Sequence, residues 1–531
     1  MPKLLVSPTP NSVLPAQIRK YVPYYVLALA VLCFYSNVYD NALFYDDEFL
    51  IVRNQYLRGL HWLGHILTSS VNSGALDHNQ FYRPLQNVLY LIVYQIGGLS
   101  LFGFHLLNVA LHIANACLVY AIGCRLRFNT RAVFIAALLW ALHPIHTEAI
   151  TYTSATANPL YTFFCLLGLV VLLPDFRPRK FLIAAICFVL GLLSKETAIV
   201  FPLLVICSMY LMRPDRLTSR TYLRTWPLWL VAVLYLGLHL VFMPFSGLRF
   251  LNPDPVSQIY ATHVSIRFYT FLATVPAYLG LLIWPVGLHM ERNFLAYPNP
   301  WYWQVILAAI LIAAAGVQVL WGCGKRGFPL SWGLMWFACA QVPQTGILIP
   351  INSLFYEHWM YLPTVGLFLG VAQTVAVTLQ NTRARIGAAA GGCLVALIFG
   401  TMTYRQNEVW RDPVTFYTNI LNHEETSERT HNNLGMAYIE RGDYDQAMDQ
   451  LQLALKRSDT IASVHQNMAA IYFYRSDVKG EIAELKRALE INPDFVDACD
   501  GLAAAYDLLG DKQNADLYRQ KAADIRKEFA P

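Results

Sequence analysis

The chain of 531 residues is 56% hydrophobic and only 14% charged, with a mean hydropathy of +0.39. A soluble chain carries about 25% charged residues, so a wholly soluble enzyme is excluded. Up to Tyr404 there are 24 Lys and Arg against 12 Asp and Glu, and beyond it 15 against 22, so a basic apolar body precedes an acidic polar tail. No basic stripe interleaved with aromatics marks a nucleic-acid binder.

Arg19 and Lys20 precede the first apolar run, near 21–38, and no small-residue cleavage pattern follows it, which reads as a retained first span. Further runs lie near 105–123, 131–147, 158–174, 180–194, 196–212, 226–244, 301–321, 330–349, 359–380 and 386–404. With spans of about 17 to 25 residues, these predict about eleven crossings. The run 84–97, after Tyr82-Arg83-Pro84, reads as an amphipathic helix along the membrane surface. The stretch 266–287, with Pro276 and Pro285, reads as a surface or re-entrant element.

Basic residues alternate between the connections. Arg125, Arg127, Arg131, Arg177, Arg179, Lys180, Arg213, Arg216, Arg220, Arg224, Lys325, Arg326, Arg383 and Arg385 join Lys3, Arg19 and Lys20 on one side, 17 against 7 opposite. The positive-inside rule makes that side cytoplasmic, and eleven crossings then put the tail outside. Ten of the body's twelve acids fall outside: Asp40, Asp46, Asp47, Glu48, Asp77, Glu148, Glu196, Asp254, Glu291 and Glu357, leaving Asp175 and Asp215 within. The outer face is therefore where chemistry is expected. The absence of any Asn-x-Ser/Thr acceptor favours a bacterial membrane, and the cysteines, nine of ten in or beside apolar runs, imply no disulfide framework.

Four constellations stand on that face. Phe44-Tyr45-Asp46-Asp47-Glu48, continuing to Asn54, packs three carboxylates whose repulsion raises their pKa values; one could take a proton from a hydroxyl or bind a divalent ion, or the loop is simply solvated. His143-Pro144-Ile145-His146-Thr147-Glu148 lacks an evident third metal ligand and reads as hydrogen-bonded support for the first loop. Lys195, in Ser194-Lys195-Glu196, either meets a lipid phosphate or snorkels. Glu357 and His358 sit in Tyr356-Glu357-His358-Trp359-Met360-Tyr361-Leu362-Pro363 at the entry to a late crossing.

Beyond the helical linker 405–427, Leu434, Met468 and Leu502 are 34 apart, as are Tyr438, Tyr472 and Tyr506, and Ala454, Ala488 and Ala522. That period identifies three tetratricopeptide repeats over 428–531. Gly442 and Gly510 mark the turns within two repeats, with Ser476 in the third. Asn433 and Asn467 share one repeat position, where stacked amides either clamp an extended peptide or pack locally.

These residues, in this order, resemble the transmembrane-and-tetratricopeptide-repeat O-mannosyltransferases and their bacterial relatives, which are GT-C glycosyltransferases. The resemblance runs through Phe44-Tyr45-Asp46-Asp47 with Asn54, Tyr82-Arg83-Pro84-Leu85, and Phe104-His105-Leu106-Leu107-Asn108 with His112. It continues through His143 to Ala149, Leu193-Ser194-Lys195-Glu196-Thr197, Glu357 with Tyr361-Leu362-Pro363, and Trp410 with Phe416. It implies an all-α, polytopic GT-C-type membrane domain over 1–404 of about eleven spans, followed by a soluble TPR α-solenoid.

The implied reaction moves a sugar, mannose in the family, from a polyprenyl- or dolichyl-phosphate carrier to Ser or Thr of a protein on the outer face. Single displacement would invert the anomeric centre. No cofactor is expected, and a divalent metal stays open. Asp46 or Asp47 would be the base, and Lys195 would meet the lipid phosphate with Arg83, Glu196, Glu357 and His358 around it. Glu48, Asn54, His143, His146 and Glu148 would support the site, and the repeats would bind the acceptor through Asn433 and Asn467. Two cationic contacts of the family are missing: Ala155-Thr156-Ala157-Asn158 stands where it has Gly-Arg-Ala-Asp, and His358 where it often has Arg. Arg83, Arg267 and Arg292 are the candidates to compensate. The competing classes are a non-catalytic scaffold for envelope assembly and a glycan ligase or polymerase.

Overall fold

The computed structural model describes residues 16–75, 81–173, 175–212, 223–242, 255–292, 294–322, 328–351, 353–424 and 427–528. Of the charges weighed above, Lys3, Asp77, Arg213, Asp215, Arg216, Arg220, Asp254, Lys325 and Arg326 lie outside these. Every regular element among the described residues is helical, and the chain divides into two compact units.

The first unit, through Glu408, holds the apolar helices, numbered here for those of nine residues or more: α1 (Val22–Phe34), α2 (Pro84–Gly97), α3 (Leu101–Arg125), α4 (Thr130–Ala141), α5 (Ala157–Leu172), α6 (Pro178–Ser194) and α7 (Phe201–Met212). After them come α8 (Trp226–Phe242), α9 (Val264–Ile283), α10 (Trp303–Gly322), α11 (Phe328–Gln341), α12 (Pro363–Thr378) and α13 (Thr382–Val409). Five described helices are long and apolar enough to cross a membrane, six if α4 and the turn after it, bent by 52°, count as one. Four more apolar helices are shorter. Several hydrophobic runs thus end early, because short 3-10 turns interrupt them at Pro144–His146 and Glu196–Val200.

The stretch read as a surface or re-entrant element is one continuous helix, α9, with Pro276 inside it. Its length alone would permit a crossing. Near its start, Arg267 Nε donates to Ile347 O at 3.1 Å, and later Tyr278 OH donates to Tyr356 O at 3.0 Å. The connection between α11 and α12 thus touches α9 near its start and again beyond its middle.

A buried cluster including Trp140, Tyr161, Phe188, Phe201, Trp336 and Tyr361 ties α3 to α7, α11 and α12 together. Between α11 and α12 the backbones nearly touch: a Cβ on Gly370 would lie 2.6 Å from Pro329 O and 3.0 Å from Gly333 Cα. Small residues allow such approach where lipid supplies no hydrophobic drive between helices. A polar stripe on α3 anchors the connection after α4. His112 pairs through Nδ1 with Tyr361 OH at 2.7 Å and through Nε2 with Ala141 O at 2.8 Å. Asn108 Nδ2 donates to Ile150 O at 3.1 Å, and Asn115 Nδ2 to Pro159 O at 2.8 Å.

The second unit contains α14 (Pro413–Leu421) and three helix pairs: α15 (Glu428–Arg441) with α16 (Tyr444–Arg457), α17 (Ala462–Tyr474) with α18 (Val478–Ile491), and α19 (Val496–Leu508) with α20 (Lys512–Glu528). Repeat positions Leu434, Met468, Leu502, Ala454, Ala488 and Ala522 are all buried, as a solenoid of stacked pairs requires. Residues 289–292 also pack in this unit: the His289 ring stacks on His423, and Thr430 Oγ1 donates to Glu291 Oε2 at 2.8 Å.

Each pair turns on a left-handed residue: Gly442 (φ 82°), Ser476 (φ 60°) and Gly510 (φ 74°). A side chain there costs about 1–2 kcal/mol, part of which glycine's greater unfolded freedom offsets. Ser476→Gly is therefore expected to stabilise the second repeat by roughly 0.5–1 kcal/mol, read as slower hydrogen exchange across α17 and α18 in the full chain.

Candidate active site

After α1 the chain turns at Tyr45, whose φ of 62° lies in the left-handed region. A non-glycine residue held there stores strain, a feature that concentrates at functional sites. The turn separates two adjacent carboxylates: Asp46 is exposed, whereas Asp47 is 2% exposed. Asp47 Oδ1 accepts a hydrogen bond from Ser154 N at 2.7 Å and another from Ser154 Oγ. Burial pushes the Asp47 carboxyl up to about 7, the Ser154 donors hold it down, and the Asp46 charge adds to the rise.

Ser154 is held in turn by α2. Gln86 Nε2 donates to Ser154 O at 3.1 Å and to Tyr90 OH at 2.9 Å, and Tyr90 OH donates to Thr153 O at 2.7 Å. The spacing of 86 and 90 puts both side chains on one helical face. Arg83, at the N-cap of the same helix, grips Glu196 through Nη2–Oε1 at 2.9 Å and Nε–Oε2 at 3.3 Å. Such a fork-to-fork pair fixes geometry as well as charge.

Beside Glu196, Lys195 is 6% exposed and donates from Nζ to Asn158 Oδ1 at 2.7 Å. A neutral amide thus partners a buried ammonium. Burial and the like charge of Arg83 bring the Lys195 amine down to about 7, against the pull of Glu196 and Glu148. Glu148, 1% exposed, takes His358 Nδ1 at 2.6 Å on Oε1, and Glu357 N at 2.8 Å and His358 N at 3.2 Å on Oε2. Burial holds the His358 imidazole below its ordinary pKa, although Glu148 opposes this. His358 also feels Lys195 and Arg83, and Tyr90 feels both Asp47 and Arg83, so the carboxylate and the cations share one electrostatic neighbourhood.

Other expected residues brace the fold instead. Glu48 pairs with Arg53 at 2.7 Å on the surface. Fully buried Asn54 caps a short turn through Tyr56 N at 3.0 Å and donates to Leu50 O at 3.1 Å. The two histidines do not support the first loop as expected. His143 Nε2 meets Leu282 O at 3.1 Å, and His146 uses Nδ1 on Trp140 O at 2.8 Å and Nε2 on Thr364 Oγ1 at 3.2 Å. Pro144 turns the chain back onto α4, which directs these rings toward α9 and α12. Among the described residues no three His, Cys, Asp or Glu are grouped to hold a metal. Arg267 is committed to Ile347 O and Ala261 O, and Arg292 belongs to the second unit.

In the repeats, Asn467 Nδ2 donates to Asn432 Oδ1 at 3.0 Å, so Asn433 is not its stacking partner. Successive repeats instead reproduce a bond between paired helices: His431 Nδ1 to Gln450 Oε1 at 2.9 Å and His465 Nδ1 to Glu484 Oε2 at 2.7 Å. Reading the sequence missed Ser154, Gln86 and Tyr90. The polar face of α2 was a signal for the last two; Ser154 had none.

The site thus holds the buried carboxylate of Asp47 and the buried cation of Lys195, with the half-buried Arg83 beside Glu196. A family model described as dolichyl-phosphate-mannose-protein mannosyltransferase matches residues 83–246, and one for the tetratricopeptide repeat matches 428–460. Protein O-mannosyl-transferase F38B6.6 of Caenorhabditis elegans is 24% identical over 78% of this chain and 60% of its own length. Protein O-mannosyl-transferase TMTC4 of Homo sapiens is 24% identical over 83% of this chain and 66% of its own. The chain thus spans about 60% of these curated relatives' length. Among solved structures, ArnT from Cupriavidus metallidurans bound to undecaprenyl phosphate aligns with a TM-score of 0.43 and 15% identity, over 92% of this chain and 81% of that one.

Proposed function

We propose that this chain, which resembles the protein O-mannosyltransferases with transmembrane and tetratricopeptide parts, is an inverting GT-C glycosyltransferase. It takes a sugar, mannose first among the candidates, from a polyprenyl-phosphate carrier to a Ser or Thr hydroxyl of a protein. The observation that carries this reading is that α2 braces both Ser154, the donor to buried Asp47, and Glu196, the neighbour of buried, amide-partnered Lys195.

In the step proposed, the acceptor oxygen forms a bond to the anomeric carbon while its proton passes to the Asp47 carboxylate. The bond from that carbon to the phosphate oxygen breaks, and its electron pair leaves with the phosphate. Lys195 and Arg83 meet the accumulating charge, with His358, oriented by Glu148 and Glu357, beside them. A positioned base contributes about 10²–10⁴-fold and a preorganised charge partner about 10²–10³-fold. Because two side-chain cations meet the phosphate, transfer is proposed to need no metal or other cofactor.

The chain is an integral membrane protein, with apolar helices of spanning length. The lack of an Asn-x-Ser/Thr acceptor supports a bacterial cytoplasmic membrane, and the charge pattern supports an inner amino terminus with the site and repeats outside. The repeats are proposed to bind the acceptor near Asn433 and Asn467 and so raise its effective concentration.

The test combines the purified full chain, polyprenyl-phosphate mannose and a Ser/Thr-rich peptide in EDTA. A hexose added to the peptide by mass spectrometry is expected. An unmodified peptide together with an elongated glycan would replace this reading with a glycan ligase. Neither product, with function in cells surviving Asp47→Asn but lost on removing 428–531, would favour a scaffold.

A further inference from the structure

The Asp47 carboxylate is held by Ser154 on Oδ1, with a smaller contribution from the Phe44 backbone. Both donors to Oδ1 come from one residue, Ser154, 107 positions away. Ser154 is 7% exposed and lies in a 3-10 turn, Thr153–Thr156, just before α5. That turn is clamped from the far side by Gln86 and Tyr90, whose bonds reach the carbonyls of Ser154 and Thr153. From the near side, Thr156 Oγ1 donates to Asn108 Oδ1 at 2.5 Å. Three helices thus converge to immobilise one serine against one carboxylate. A residue that only filled space would need no such support.

We infer that Ser154 is a positioning residue that orients the Asp47 carboxylate toward the acceptor hydroxyl and tunes its protonation. The inference rests on the function proposed above. Donors to a carboxylate stabilise its ionised form. The groups facing Asp47 are Asp46 beside it, Tyr90 on α2 and Tyr152 in the turn, with Arg83 beyond Tyr90 and Tyr45 beyond Tyr152. Asp46 opposes ionisation, and Arg83 is the one cation among them, acting from the N-cap of α2. Ser154 is therefore the nearest counterweight to burial.

Ser154→Ala removes the hydroxyl donor and leaves the backbone donors of Ser154 and Phe44. Infrared titration of the full chain in nanodiscs, as the difference from Asp47→Asn, reads the protonated carboxyl band of Asp47 directly. Its midpoint is expected to move up by about one pH unit in Ser154→Ala and to return in Ser154→Thr, which restores the hydroxyl. Transfer of mannose from polyprenyl-phosphate mannose to a Ser/Thr-rich peptide should show the same shift in its acid limb. At pH 7 the rate should fall about fivefold.

An unmoved band with an unmoved limb overturns the inference, as does a uniformly lowered rate that Ser154→Thr fails to rescue. A shifted band in a chain whose unaltered form transfers no sugar upholds the role of Ser154 and overturns the proposed function instead.

Discussion

Asp47→Asn is expected to lower transfer by about 10²–10⁴-fold, and Asp46→Asn by far less. The amide keeps the shape of Asp47 and can still accept from Ser154, but it cannot take the acceptor's proton. Asp46 is exposed and acts through its charge, which lifts Asp47. The sign follows: the base must be ionised, so with a carboxyl near 7 activity falls as pH drops below neutrality. Removing the Asp46 charge lowers that carboxyl, and the acid limb of kcat/KM should move to lower pH in Asp46→Asn. Profiles of kcat/KM against pH for the two variants, each checked for normal folding, measure both effects. Full transfer in both would remove the base from this loop. A large loss in Asp46→Asn with an unshifted limb would move the role to Asp46.

The second large effect is expected at Lys195. Lys195→Met should cost about 10²–10³-fold in kcat, because the cation is needed most when the phosphate departs. The wild-type chain should also show an alkaline limb. Its amine lies near 7 in the free protein, so the positive charge is present below neutrality and lost above it. A bound phosphate favours the protonated amine, so the limb should sit higher in kcat than in kcat/KM. Asn158→Asp supplies a charged partner, raises the amine, and should carry the alkaline limb of kcat/KM upward. The same ion pair competes with the donor, so KM for the lipid-linked sugar should rise at pH 7. An unmoved limb in Asn158→Asp would show that another group titrates.

These expectations depend on contacts of very different legibility. Arg83 and Glu196 were both visible in the sequence as charges on apolar ground, but their ion pair spans 113 positions. His358 was visible as an ionisable residue, and only its bond to Glu148, 210 positions away, shows the carboxylate that orients it. Hydropathy placed each apolar run on a helix but could not show where the backbone breaks inside one. The breaks at Pro144–His146 and Glu196–Val200 are backbone events inside apolar sequence. In the repeats, Asn467 reaches Asn432, the neighbour of its repeat equivalent Asn433. One residue rotates a helix by about 100°, so a periodic pattern places a face without choosing the side chain that reaches its neighbour.

What the sequence determined by itself was periodic or cumulative: an apolar body, an acidic tail, a repeat of 34, and loops rich in ionisable residues. Each is written in neighbouring residues, because helical periodicity and transfer free energy are local sums. Tertiary structure decided which of two adjacent carboxylates is buried, which residue holds it, and that Lys195 has an amide for a partner. Those outcomes depend on segments 107 and 37 positions distant. A carboxyl group's pKa and direction are set by the dielectric and donors around it, and those come from wherever the chain returns.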